Sequence, residues 1–100
     1  MLIAIVDFIV APEHREEALA AILAEAPAVR AMTGNIDFQS YLSQEDAKAI
    51  RVFHEWNDAP DFEFYTSSDT FKALGGVLRP MMIAPPISRR MTAELLETVR

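Results

Sequence analysis

The segment KAIRVFHEW, residues 48–56, raises the first chemical question. His54 and Trp56 stand two apart, so on an extended strand they share a face with Ile50 and Val52, opposite Arg51, Phe53 and Glu55. Imidazole titrates near neutral pH, which makes His54 a candidate general base. Trp56 would line a pocket and stack on a planar substrate. Nine residues further on, Tyr65 can donate a hydrogen bond to a substrate oxygen, and Phe38, Phe62 and Phe71 can wall the same pocket. Each residue also has a purely structural reading. His54 can be hydrogen-bonded at a strand end and Trp56 can anchor a core. Tyr65 can turn its hydroxyl to water, and Phe38, Phe62, Phe64 and Phe71 can be core rings.

Other chemistries lack their residues. His14, the only other histidine, has no spacing to His54 that would build a metal site. There is no cysteine, hence no thiolate ligand, no cysteine nucleophile and no disulfide. No phosphate loop, nucleophile elbow, zincin motif or dinucleotide fingerprint occurs. Asp7 interrupts an apolar run, where an unpaired carboxylate is costly. Pairing with Arg51 or another base is expected, on the face opposite Val6. Arg89-Arg90 is a small basic patch that can hold an acidic substrate or make ordinary exposed ion pairs.

These side chains need elements to position them. Residues 2–10 (LIAIVDFIV) read as a strand apolar on both faces. Pro12 and the acids Glu13, Glu16 and Glu17 suit a helix start, and Ala18, Leu19, Ile22, Leu23 and Ala26 follow at helical spacing. Pro27 should bend or interrupt that helix, which runs to about Met32 and stops at Gly34. Residues 35–42 alternate, with Ile36, Phe38, Ser40 and Leu42 on one face. After the polar turn at 43–46, residues 48–56 make the hairpin partner. Asn57 or Asp58 caps a short helix through about Tyr65, and Ser67 or Ser68 caps another through Leu74, softened by Gly75-Gly76. Residues 87–100 fit either a helix striped by Leu95, Leu96 and Val99 or a strand through Ile87, Arg89, Met91 and Ala93. With a final strand the order is βαββαβ, the α+β ferredoxin-like arrangement, with helices on one face of an antiparallel sheet.

Composition bounds the remaining possibilities. The chain has 100 residues, 51 of them apolar and 15 of those alanine, leaving 36 larger apolar groups for one domain over residues 1–100. That is generous for a monomer of this size and points to self-association. A sheet whose first strand is apolar on both sides needs a second cover, which another copy of the chain can supply. Net charge −6 argues against nucleic acid and against anionic membrane surfaces. No segment is long enough to span a bilayer, and the apolar start lacks the basic flank of a signal peptide, so a cytoplasmic location is expected.

The run Phe53-His54-Glu55-Trp56, then Phe64-Tyr65, then Phe71-Lys72-Ala73 is similar to the antibiotic biosynthesis monooxygenase family. The family's motif reads aromatic-Glu-x-Trp, a histidine nine residues past the tryptophan, then an apolar-Lys/Arg-Ala step. The resemblance covers roughly residues 2–80 and implies a ferredoxin-like protomer that dimerises sheet to sheet as an α+β barrel, with a pocket between sheet and helices. Two departures stand out. Tyr65 occupies the histidine position, and His54 occupies the usual acidic one. The haem-opening branch also needs an asparagine on strand 1, where this chain has Val6 beside Asp7, so haem cleavage is disfavoured.

The resemblance implies a cofactor-independent monooxygenase, with no metal, that acts on a quinol or aromatic phenol and dioxygen. Such an enzyme ionises its substrate so that an electron-rich anion meets oxygen. Here Trp56 would shape the pocket, His54 would be the base and Tyr65 a hydrogen-bond partner. A non-catalytic small-ligand or interaction module on the same dimeric scaffold is the reading that the missing family residues favour. An isomerase of a small phosphorylated signal is a third, weakened by the lack of a clear basic pocket. Whether the chain is an enzyme at all stays open at this level.

Overall fold

The computed structural model describes residues 1–100. Strand β1 (Leu2–Ile9) leads through a 3-10 turn (Pro12–His14) into helix α1 (Arg15–Arg30). Strands β2 (Asn35–Leu42) and β3 (Ala49–Trp56) follow, then helices α2 (Ala59–Thr66) and α3 (Asp69–Leu78). A second 3-10 turn (Arg79–Met81) precedes strand β4 (Ile87–Thr92). The four strands form one antiparallel sheet in the order β2-β3-β1-β4. This is the ferredoxin-like βαββαβ fold, with the second helix split in two.

Residues 87–100, open in sequence between helix and strand, divide: six residues pair with β1 as β4, and 93–100 adopt no regular structure. The apolar β1 wins β4 as an edge partner, and Leu95, Leu96 and Val99 are left exposed. Strand alternation sends Leu2, Ala4 and Phe8 into the core and Ile3, Ile5, Asp7 and Ile9 to the opposite face. Seventeen buried apolar residues form one core between that inner face and the helices.

Local signals explain most boundaries. Asp58 Oδ1 accepts from the Asp61 amide and Ser68 Oγ from the Phe71 amide, so both short helices start on side-chain caps. Helix α1 runs through Pro27 without ending there. The proline removes only the N–H that would bond Leu23, and Leu23 lies on the exposed side. Leu23 therefore leaves the expected apolar stripe, which is Ala18, Ile22, Ala26 and Val29. Ile36 departs as well. The β2–β3 register slips between Asn35 and Asp37, and this bulge leaves Ile36 exposed while Phe38 returns to the core. Gly75 and Gly76 lie inside α3, which continues to Leu78. Gly34 sits at φ 80 in the turn before β2, and a Cβ there would collide with the Asp61 carboxylate.

Candidate functional site

The ladder places Phe38, His54, Ala4 and Arg90 at one level across the inner face of β2, β3, β1 and β4. Ala4, between His54 and Arg90, is fully buried, and those two residues reach the cavity. Val6 and Val52 continue the floor, and Phe62, Tyr65, Phe71, Leu74 and Leu78 of the helices form the roof of a cavity of about 230 Å³. Arg79 and Arg90 are its charged lining residues. A larger hollow of about 560 Å³ opens beside Asp7, Tyr41, Arg51 and Ile87, away from His54 and on the sheet's outward side.

His54 is 3 % exposed and packed among rings, with centroids 5.6 Å from Phe38, 5.6 Å from Phe62 and 5.7 Å from Tyr65. Trp56 Nε1–H donates to His54 Nδ1 at 2.8 Å. An indole nitrogen has a hydrogen and no lone pair to offer, so Nδ1 must accept, and the neutral ring carries its proton on Nε2. Nε2 has no protein partner, and it is not among the fully enclosed polar atoms, where only Arg15 Nε lacks one. Burial, and then the nearby Arg90 charge, push the His54 pKa down to about 4. Near neutral pH this histidine is therefore an uncharged donor to the cavity, not a proton acceptor.

Trp56 is fully buried and does not line the cavity. The stacking expected with a substrate is made instead with Tyr65, at 5.1 Å and 23°. Tyr65 lines the cavity with its own hydroxyl free of any protein partner and not enclosed. Burial, followed by the Glu25 charge, pushes its pKa up to about 12. Phe38, Phe62 and Phe71 all line the cavity, and Phe38 and Phe62 are also core residues. Phe64 does not belong with them and is 70 % exposed, because Phe62 and Tyr65 take the inward side of α2.

Asp7 takes no part. Its carboxylate receives Arg51 Nε at 2.6 Å, Arg51 Nη2 at 3.0 Å and Arg89 Nη2 at 2.9 Å on the outward face. The Arg51 hydrogen bond leads the causes that hold its pKa below the usual value. Arg89 and Arg90, adjacent in sequence, thus do opposite things. Strand alternation points one at Asp7 and the other at the cavity. In the sequence the two read as one patch, because residues 87–100 fit a helix and a strand equally well. Arg79 carried no sequence signal.

No three His, Cys, Asp or Glu side chains converge as a metal site. Haem does not fit the residues present either: one His54 nitrogen is engaged by Trp56, the other is protonated, and position 65 is a tyrosine.

The profile of the antibiotic biosynthesis monooxygenase family matches residues 1–75. The chain belongs to that family. Solved structures bear out the fold. A candidate antibiotic biosynthesis monooxygenase from Deinococcus radiodurans superposes with TM-score 0.90 at 11 % identity, covering 100 % of this chain and 99 % of that one. A candidate monooxygenase from Nitrosomonas europaea gives 0.87 at 15 % identity, over 93 % and 98 %. A conserved protein from Methanosarcina mazei gives 0.87 at 20 %, over 94 % of each chain. At such identities the likeness is one of fold. No curated protein matches the sequence significantly. Within this family member, His54, Trp56 and Tyr65 fall inside the matched span, and Arg79 and Arg90 lie beyond it.

Proposed function

We propose that the chain is a cofactor-independent monooxygenase that oxidises a small hydroxy-aromatic, of phenol or quinol type, with dioxygen. The observation that supports this reading is the ring-walled cavity lined by His54, whose Nε2–H has no protein partner. In the reaction, the substrate's ionised oxygen makes the ring electron-rich, and the ring passes one electron to dioxygen. The resulting radical and superoxide combine at a ring carbon, a C–O bond forms, and proton uptake gives a hydroperoxide. Loss of water from that carbon, with its hydrogen, leaves a carbonyl. Overall a phenol with a free ring C–H and O₂ give a quinone and H₂O. His54 acts by donation to the oxyanion, which replaces the base role that its residue type suggested. Tyr65 is the second donor, and Phe38, Phe62 and Phe71 bracket the ring.

The same reading treats residues 1–100 as one domain of a homodimer in a reducing, cytoplasmic setting. The outward sheet face, with Ile3, Ile5, Ile9 and Phe53 half-exposed and Ile87 61 % exposed, supports pairing of two sheets.

Oxygen uptake with naphthoquinols and single-ring hydroxy-aromatics tests the proposal. Loss of one preorganised donor to an oxyanion costs about a hundredfold in rate, so His54→Ala should consume oxygen about a hundred times more slowly. Equal rates in mutant and wild type would sink the assignment of His54. A non-catalytic small-ligand or interaction module is the second reading, and a cavity too small for a two-ring substrate favours it. At about 230 Å³ it falls below the range usual for small-molecule sites, which begins at about 300 Å³. Ligand binding without any oxygen consumption would select that reading.

A further inference from the structure

The cavity offers donors and cations and nothing that accepts a proton. The chain carries 15 acidic residues, yet none lines this cavity, whereas two of its nine bases do. The arginine–carboxylate pairs of the molecule are Arg51–Asp7 and Arg89–Asp7, so Arg79 and Arg90 have no carboxylate partner. Arg90 holds its guanidinium 4.9 Å over the Phe62 ring, at the cavity wall. His54 and Arg90 both pair with Ala4, from the two strands that flank β1. Two strand spacings set their backbones about 10 Å apart, and the Phe62 ring packs against both side chains from the helix side. A planar oxygen-bearing ligand in the cavity, which both residues line, meets an N–H from the β3 side and a guanidinium from the β4 side.

The groups facing His54 are Trp56 on its own strand, Tyr65 on α2 and Arg90 on β4, with Arg79 at the end of α3. Trp56 and the arginines can only donate. Tyr65 keeps its proton to about pH 12, and Glu25 of α1 acts on Tyr65. A neutral phenol entering this site therefore meets hydroxyl oxygens of Tyr65 and Ser88 that can accept a hydrogen bond, but no base that takes its proton away.

We infer that the cavity takes its aromatic ligand as an oxyanion already ionised in water, a phenolate held between the Nε2–H of His54 and the guanidinium of Arg90. The inference rests on the phenol reading above and narrows it. The preferred substrates are hydroxy-aromatics whose hydroxyl is acidified by a conjugated carbonyl or nitro group, and plain phenols, protonated at neutral pH, are poor ones. Trp56 is a positioning residue here: its N–H selects the tautomer that presents a donor.

4-Nitrophenol is a direct probe, because only its phenolate is yellow and it is half-ionised near neutrality. Titrated into the intact chain across that range, it should bind at least about tenfold more tightly as phenolate than as phenol. The bound dye should then be yellow where the free dye is colourless. Arg90→Gln, a change at an exposed side chain, should cut that preference to about threefold or less. Equal affinity for the two forms, no binding of either at millimolar concentration, or an undiminished preference in Arg90→Gln would each overturn the inference. So would displacement by inorganic phosphate as effective as by a second phenolate, since that would mark a bare anion site. The dye is too electron-poor to feed dioxygen. Nitrophenolate binding without oxygen uptake from any phenol would thus overturn the oxygenase reading and leave the anion site standing.

Discussion

His54 is held by a bond that only one protonation state satisfies. The indole hydrogen of Trp56 points at Nδ1, and a proton on that nitrogen would set two donors 2.8 Å apart. Strand periodicity places the two residues on one face, which makes their neighbourhood legible from the sequence. It does not say that indole and imidazole bond to each other, because that depends on rotamers chosen by Tyr65, Phe38 and Phe62 around them. The consequence is an uncharged buried ring with a pH signature. The unfolded imidazole takes its proton near 6.5 and the folded one near 4, so between those values the unfolded chain binds more protons. Stability should begin to fall as pH drops below 6.5, and the loss is complete below about 4. At about 1.4 kcal/mol per pH unit of pKa difference, the loss amounts to about 3 kcal/mol. Asp7, whose pKa is lowered from 3.8, loses its contribution only below that window. Denaturant unfolding between neutral pH and about pH 4.5 should show the decline in wild type and a flatter profile in His54→Gln. Identical slopes in the two proteins would contradict the assignment.

The strands and helices show why some positions were readable and others were not. β1 and β3 alternate cleanly, so their inward and outward residues follow from a period of two. β4 is exposed along its length, and its two apolar residues, Ile87 and Met91, share a face with Arg89, a pattern too short and mixed to set its type. Only pairing with β1 makes it a strand, and with it come the opposite directions of Arg89 and Arg90. Ile36 misleads for a related reason, since a bulge resets the phase of β2 just before Phe38. The outward face of the assembled sheet carries Ile3, Ile5, Ile9, Ile87 and Met91 around the Asp7–Arg51–Arg89 cluster. Covering one such isoleucine contributes about 1.5–3 kcal/mol, and an isologous pair of sheets counts each residue twice. Sedimentation equilibrium should give twice the chain mass of 11.2 kDa. Ile5→Glu should shift the protein to monomer while leaving the fold intact. A monomeric wild type at micromolar concentration would contradict the sheet-to-sheet pairing.

Over the whole molecule, charge and polarity are distributed in a way that composition could not reveal. An acidic chain, net −6, keeps its carboxylates outside the cavity and lines it with arginine. The surplus of large apolar residues divides between a seventeen-residue core, the outward sheet face and the cavity walls. The sequence made the surplus visible, but its division depends on which strands sit side by side. The family and its fold account for the scaffold, and the proposed chemistry turns on the location of a single proton. A two-bond ¹H–¹⁵N correlation spectrum of the ¹⁵N-labelled protein near neutral pH reads that proton directly. The account predicts a protonated Nε2 and an accepting, unprotonated Nδ1 at His54. A proton on Nδ1, or on both nitrogens, would contradict it.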